Sequence, residues 1–133
     1  MRLIGTVSRG MGLAGCNLEP VRGLIEDRSG LRPLIPNTLN LKLSEAYHFT
    51  PDFTVTKAEY GNVEDLLFQH CRVGPVPCLI MRPSSHEDGS WHGPAHLELM
   101  STVWLRNECA LTDGSLVTVD IGRAIVSPQG DDA

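Results

Sequence analysis

Thr38, Asn40 and Lys42 alternate with Leu39, Leu41 and Leu43. A period of two sends successive side chains to opposite faces of a strand, so the hydroxyl, the amide and the ammonium share one face. Two adjacent uncharged oxygen donors suit Mg2+, a hard cation that takes few protein ligands and fills its shell from phosphates and water. The same alternation also describes an amphipathic strand with its polar side in water. Upstream, Gly10-Met11-Gly12-Leu13-Ala14-Gly15 fits G-x-G-x-x-G behind a predicted strand. Glycine lacks a Cβ, so the backbone N–H groups of such a loop can approach a phosphate closely. A dinucleotide fold needs a helix starting inside that motif and an acid about 20 residues further on. Here Pro20 delays the helix, the next strand carries Lys42, and no G-K-[ST] follows. A glycine-rich turn without a ligand is the other reading of this segment.

His86, His92 and His96 cluster in sequence. His92 and His96 have i, i+4 spacing, but Gly93-Pro94 between them forbids a regular helix, so loop histidines in solvent are expected rather than a zinc site. Glu98 stands amid Leu97, Leu99 and Met100, an acid in an apolar strand; a polar-face role is its ordinary explanation. Glu26 and Asp27 fit the wet face of a helix. There is no G-x-S-x-G, H-E-x-x-H or protein-kinase catalytic loop.

These residues need a frame, and 133 residues suffice for one domain. A net charge of −5 argues against nucleic acid as a partner, because duplex affinity rests on cationic neutralisation of phosphates. Hydrophobic residues make up 41% and charged residues 20%, as in an ordinary globular domain, and seven aromatics leave an aliphatic core. Residues 1–15 read as neither a signal peptide nor a membrane span, and no apolar run approaches 18 residues, so no membrane association and a cytoplasmic location are expected. Cys16, Cys71, Cys78 and Cys109 lack the spacing of a metal knuckle or a redox pair and are expected as small buried thiols.

Strands are predicted over residues 2–8, 38–43, 53–57, 66–73, 76–81, 96–103 and 115–121. A helix is predicted over residues 20–29, with Pro20 in its first turn, Val21, Leu24 and Ile25 on one face, and Gly30 as its stop. Gly74-Pro75 makes a hairpin of the two strands beside it. Residues 104–111 suggest a short helical turn, residues 84–94 a polar surface loop, and residues 127–133 a frayed tail behind a single domain of residues 1–126. The fold class is mainly β, a small barrel with one or two short helices.

In combination these segments resemble the archaeal-type CTP-dependent riboflavin kinases, over about residues 5–121. The most specific piece is residues 36–43, Pro-Asn-Thr-Leu-Asn-Leu-Lys-Leu, which is similar to the family's Pro-Gly-Thr-Leu-Asn-Leu-Lys-Leu. The glycine loop precedes it. Arg82-Pro83-Ser84-Ser85-His86 looks like the family's Pro-x-x-Thr-His, His96-Leu97-Glu98-Leu99 like the strand with its flavin-contacting acid, and Leu105-Arg106-Asn107 with Asp113-Gly114 like its Leu-Arg-Glu and Asp-Gly.

The resemblance implies a six-stranded cradle-loop β-barrel that transfers the γ-phosphoryl of CTP to riboflavin, giving FMN and CDP. It implies that Gly10, Met11, Gly12, Leu13, Ala14 and Gly15 cradle the nucleotide, with Trp104, Leu105, Arg106 and Asn107 completing that site. Thr38 and Asn40 would hold Mg2+, Ser85 and Glu98 would contact the flavin, and Glu98 is the candidate for the catalytic proton acceptor. A monomer or weak homodimer is expected. The chain departs from the pattern at Leu13 and Ala14, at Asn37 for glycine, at Ser85 for threonine, at Trp104 for a basic residue, and in a longer loop at residues 86–95. A non-catalytic flavin- or nucleotide-binding regulatory module of the same fold is the alternative.

Overall fold

The computed structural model describes residues 1–9, 18–61, 64–85 and 93–122. Its elements are β1 (Arg2–Ser8), a 3-10 turn (Glu19–Val21) running into α1 (Arg22–Ser29), β2 (Leu39–Leu43), β3 (Phe53–Val55), α2 (Lys57–Tyr60), β4 (Leu66–Val73), β5 (Val76–Pro83), β6 (His96–Ser101), α3 (Leu105–Glu108) and β7 (Leu116–Ile121). All strand pairs are antiparallel, in the order β3-β4-β5-β6-β2-β1-β7. A further pairing, Cys71 with Ile121 and Arg72 with Asp120, joins β7 back to β4 and closes six strands into a barrel. β3 lies outside that ring, on the first half of β4. The protein is thus mainly β, the small barrel that alternation and turn spacing predict, closed with the six strands that the resemblance implies.

Alternation along each strand explains the two apolar layers. Val7, Leu39, Leu41, Cys71, Val73, Cys78, Ile80, Leu97, Leu99, Val117 and Val119 fill the barrel. The opposite faces of β4, β5 and β6 offer Phe68, Leu79, Met81 and Met100 to a second cluster, which Val21, Ile25 and Leu34 cover from α1 and its flanks. β5 is therefore buried on both faces, which is why residues 76–81 read as a continuous apolar run rather than an alternating one. On β1, Gly5 is required by close approach, since a Cβ there would meet the Leu41 Cβ at 3.0 Å. Gly30 ends α1 with φ of 80°, its N–H donating to the Glu26 carbonyl.

The structure corrects several expectations. The strand predicted over residues 53–57 ends at Val55, and Lys57 opens α2 instead, behind a capping box in which Thr56 and Glu59 satisfy each other's backbone N–H groups. Three short helices are present among the described residues, not one or two. β6 ends at Ser101 rather than residue 103. Glu26 is more than a wet-face residue, because its Oε2 accepts the N–H of Leu34 at 2.9 Å and ties down the segment after α1. The predicted tail, Cys16, His86 and His92 lie outside the described residues.

Arg28 links α1 to α2 and β3. It donates to Glu59 Oε1 at 3.0 Å and to the Thr54 carbonyl at 2.8 Å. The guanidinium, with the Thr56 N–H, holds the Glu59 carboxyl down at about 2. An NMR titration of Glu59 should show that low midpoint, and Arg28→Ala should return it towards the usual value of about 4.5. The sign follows from linkage: this stabilisation is complete above about pH 4.5, the ordinary value, and is lost as pH falls towards 2.

Candidate active site

β2 and β6 lie side by side with Asn40 opposite Glu98 and Lys42 opposite His96. On the other side of β2, Ser8 is the register partner of Asn40 and Thr6 that of Lys42. Leu39 and Leu41 point into the barrel, so Asn40 and Lys42 are carried on its outer face, as the period of two requires. Thr38, immediately before β2, donates its hydroxyl hydrogen to Glu98 Oε1 at 2.9 Å. His96 Nε2 lies 2.9 Å from Asn40 Oδ1, and since that oxygen can only accept, the imidazole N–H is the donor. Thr38, Asn40, His96 and Glu98 therefore form one contiguous polar group on a surface otherwise flanked by buried Met81 and Met100.

Glu98 is half-buried, and Met81 is its register partner on β5. Burial pushes its carboxyl above the usual range, while the hydroxyl of Thr38 works in the opposite direction. His96 opens β6, as the strand predicted from residue 96 requires, but it is 8% exposed, which overturns the expectation of a histidine in solvent. Asn37 stands where the family pattern has glycine, and its backbone is not left-handed. Among the described residues Ala110 is the one non-glycine with positive φ, and the Asn37 side chain instead accepts the Thr38 N–H at 2.8 Å. This is an Asn-to-backbone bond that fixes the approach to β2.

Topology brings three further segments to the Thr38 end of the barrel. β1 finishes at Ser8, two residues before the glycine-rich segment, and residues 10–15 themselves lie outside the described residues. The turn before β7 is pinned to the same end, with Gly114 N–H donating to the Val7 carbonyl and Val7 N–H to the Ser115 carbonyl, both at 2.8 Å. α3 follows the end of β6, and Arg106 reaches Asp113 at 2.7 Å. Within α3 the roles separate. Leu105 is a core residue, Arg106 and Asn107 are exposed, and Trp104 is 56% exposed at the helix start. Ser85 lies beyond the far end of β5, its N–H donating to Glu64 Oε1 at 2.8 Å. It is therefore displaced along the strand from Glu98, whose partner is Met81.

Arg82 entered the sequence reading only as the first residue of the segment that ends at His86, yet it is 1% exposed. It donates to the carbonyls of Tyr47, Pro94 and His96 and lies 5.1 Å from the centre of the Phe49 ring. A signal was available: Arg82 shares the parity of Cys78 and Ile80, which face the barrel interior.

No helix among the described residues is long and apolar enough to cross a membrane. No family model matches the chain. The riboflavin kinase of Pyrobaculum aerophilum is 31% identical over 135 aligned residues, and that of Pyrobaculum arsenaticum 29%. Each alignment takes in 91% of this chain, which spans about 60% of the length of these relatives. Over nearly its whole extent the chain is thus similar to these two archaeal riboflavin kinases.

Proposed function

We propose that this chain transfers the γ-phosphoryl group of CTP to the terminal ribityl hydroxyl of riboflavin, giving FMN and CDP. The observation that carries this reading is the paired arrangement on β2 and β6. Thr38 gives its hydrogen to a carboxylate and Asn40 receives one from an imidazole, so both oxygens keep lone pairs for a hard cation. Those donors fit Mg2+, which supplies neutralisation of the β- and γ-phosphate charge when bound. Phosphoryl transfer asks the protein mainly for positioning and electrostatics, and needs no covalent intermediate.

The remaining assignments belong to the same reading. Residues 10–15, beginning just beyond the partner of Asn40, cradle the triphosphate with their backbone N–H groups. Trp104, Arg106 and Asn107 flank the nucleotide, and Leu105 anchors α3 in the core. The flavin lies along the outer face from Glu98 to Ser85, a span on the order of 10 Å for about four residues of strand. Glu98 uses Oε1 for Thr38; we assign Oε2 to the attacking hydroxyl, whose proton it accepts as the new P–O bond forms and the bond to the CDP oxygen breaks. A carboxyl raised by burial is a better acceptor than an ordinary one.

The test is an assay of riboflavin with Mg2+ and CTP, ATP, GTP or UTP, following FMN by chromatography. FMN from CTP above all others supports the reading. FMN from another nucleotide keeps the kinase and removes the CTP assignment. No FMN from any donor, with riboflavin still bound, means the non-catalytic module, the reading favoured by an exposed Trp104 where the related kinases place a cation.

A further inference from the structure

The two bonded pairs of the site share one geometry. Thr38 bonds Glu98 and Asn40 bonds His96, although the strand register sets Asn40 against Glu98 and Lys42 against His96. Each bond is thus the same diagonal, two residues off register, and each brings the complementary partner. A hydroxyl can donate or accept, and Glu98 makes it donate. A carboxamide can turn about its last torsion and exchange oxygen for NH2 with little steric cost. An N–H facing it permits only the oxygen, because the turned amide would set donor against donor.

We infer that His96 is a positioning residue that locks the Asn40 carboxamide with Oδ1 available to the divalent cation. This rests on the proposed reading of Thr38 and Asn40 as the cation's ligands. One lone pair of Oδ1 takes the imidazole N–H and the other faces the cation. With its amide turned, Asn40 would offer NH2, which repels a cation. His96 is 8% exposed, so water has little access to replace its N–H. Orienting partners of this kind commonly change metal affinity by about 10- to 100-fold.

The experiment measures Mn2+ affinity by electron paramagnetic resonance, with the protein saturated by the β,γ-methylene analogue of CTP. His96→Leu is expected to raise the Mn2+ Kd by about 10-fold or more. His96→Gln, whose amide nitrogen reaches the same place as Nε2, should stay within about 3-fold of the parent, well inside the range of such orienting effects. In an Asn40→Ala background His96→Leu should add nothing further. Riboflavin affinity, read by flavin fluorescence, should not change in any His96 variant. Should leucine unfold the barrel, His96→Asn, one methylene too short to reach Asn40, serves in its place and is expected to lose Mn2+ as leucine would. Parent-like Mn2+ affinity in His96→Leu or His96→Asn overturns the inference while leaving the cation site intact. So does a loss that persists undiminished in the Asn40→Ala background, or a folded His96→Gln that fails to restore binding. A parent protein that binds the nucleotide analogue but no Mn2+ overturns the cation site, and His96's role with it.

Discussion

Asn40→Ala is expected to lower the turnover of riboflavin by about 10²-fold or more, the scale of losing one oriented electrostatic contact in a transition state. Riboflavin affinity should change by no more than about 2-fold, because uniform binding does not depend on a contact made to the transferring phosphoryl group. The reasoning is geometric. Asn40 projects from the outer face of β2, its neighbours inside the barrel being Leu39 and Leu41, so truncation opens no core cavity. It is half-buried, and its side-chain oxygen accepts a hydrogen bond from His96. Loss of one neutral bond costs about 1 kcal/mol of stability, too little to unfold a domain. Steady-state kinetics across a series of Mg2+ concentrations, with flavin fluorescence titrations alongside, separate the outcomes. A fall in kcat with flavin binding intact identifies a ligand of the reacting assembly. Parallel losses of turnover, flavin binding and melting temperature identify a structural residue and remove Asn40 from the chemistry.

The parts of this site that local pattern governs were legible in the sequence. Leu39, Leu41 and Leu43 alternate because one face of β2 looks into the barrel and the other does not, and that alone placed Thr38, Asn40 and Lys42 together. The β4–β5 hairpin was legible from Gly74-Pro75, and Gly74 does take a positive φ, 58°. What escaped depends on distant pairing. Barrel closure rests on Cys71 with Ile121 and Arg72 with Asp120, which no local period encodes. His96 was placed at the start of a strand, but its burial was missed because Gly93-Pro94 just before it marks a turn and suggests solvent. Its strand alternation with Leu97 was visible, but its partner Asn40 is 56 residues away. α2 is too short for periodicity, and the Thr56–Glu59 capping box and the left-handed Gly61 at its end were its local traces. The resemblance to riboflavin kinases was readable because order and spacing of several short segments survive where single motifs are weak.

Arg82→Leu is expected to destabilise the protein by about 3–5 kcal/mol, the cost of dismantling a buried charged hydrogen-bond centre. Arg82 is the largest side chain in the fully buried set, and its parity on β5 turns it into the barrel. There it donates to three carbonyls from two places: Tyr47 after β2, and Pro94 and His96 at the entry to β6. Leucine restores part of the volume but none of the donors, so carbonyls are left buried and unsatisfied. It also removes the cation from the Phe49 ring, which stacks on Tyr47 at 5.7 Å. Lysine keeps the charge yet presents one nitrogen where a planar fork met several acceptors, so Arg82→Lys should recover only part of the loss. Urea unfolding is the direct measurement, with a lowered midpoint and an unchanged slope as the expected result. A loss below about 1 kcal/mol would mean that water or a backbone shift replaces the donors, and that the buried cation is tolerated rather than required. The consequence reaches the chemistry through His96. Its carbonyl is held by Arg82 while its ring is held by Asn40, so a barrel end loosened by leucine should also lose turnover, at temperatures where it remains folded.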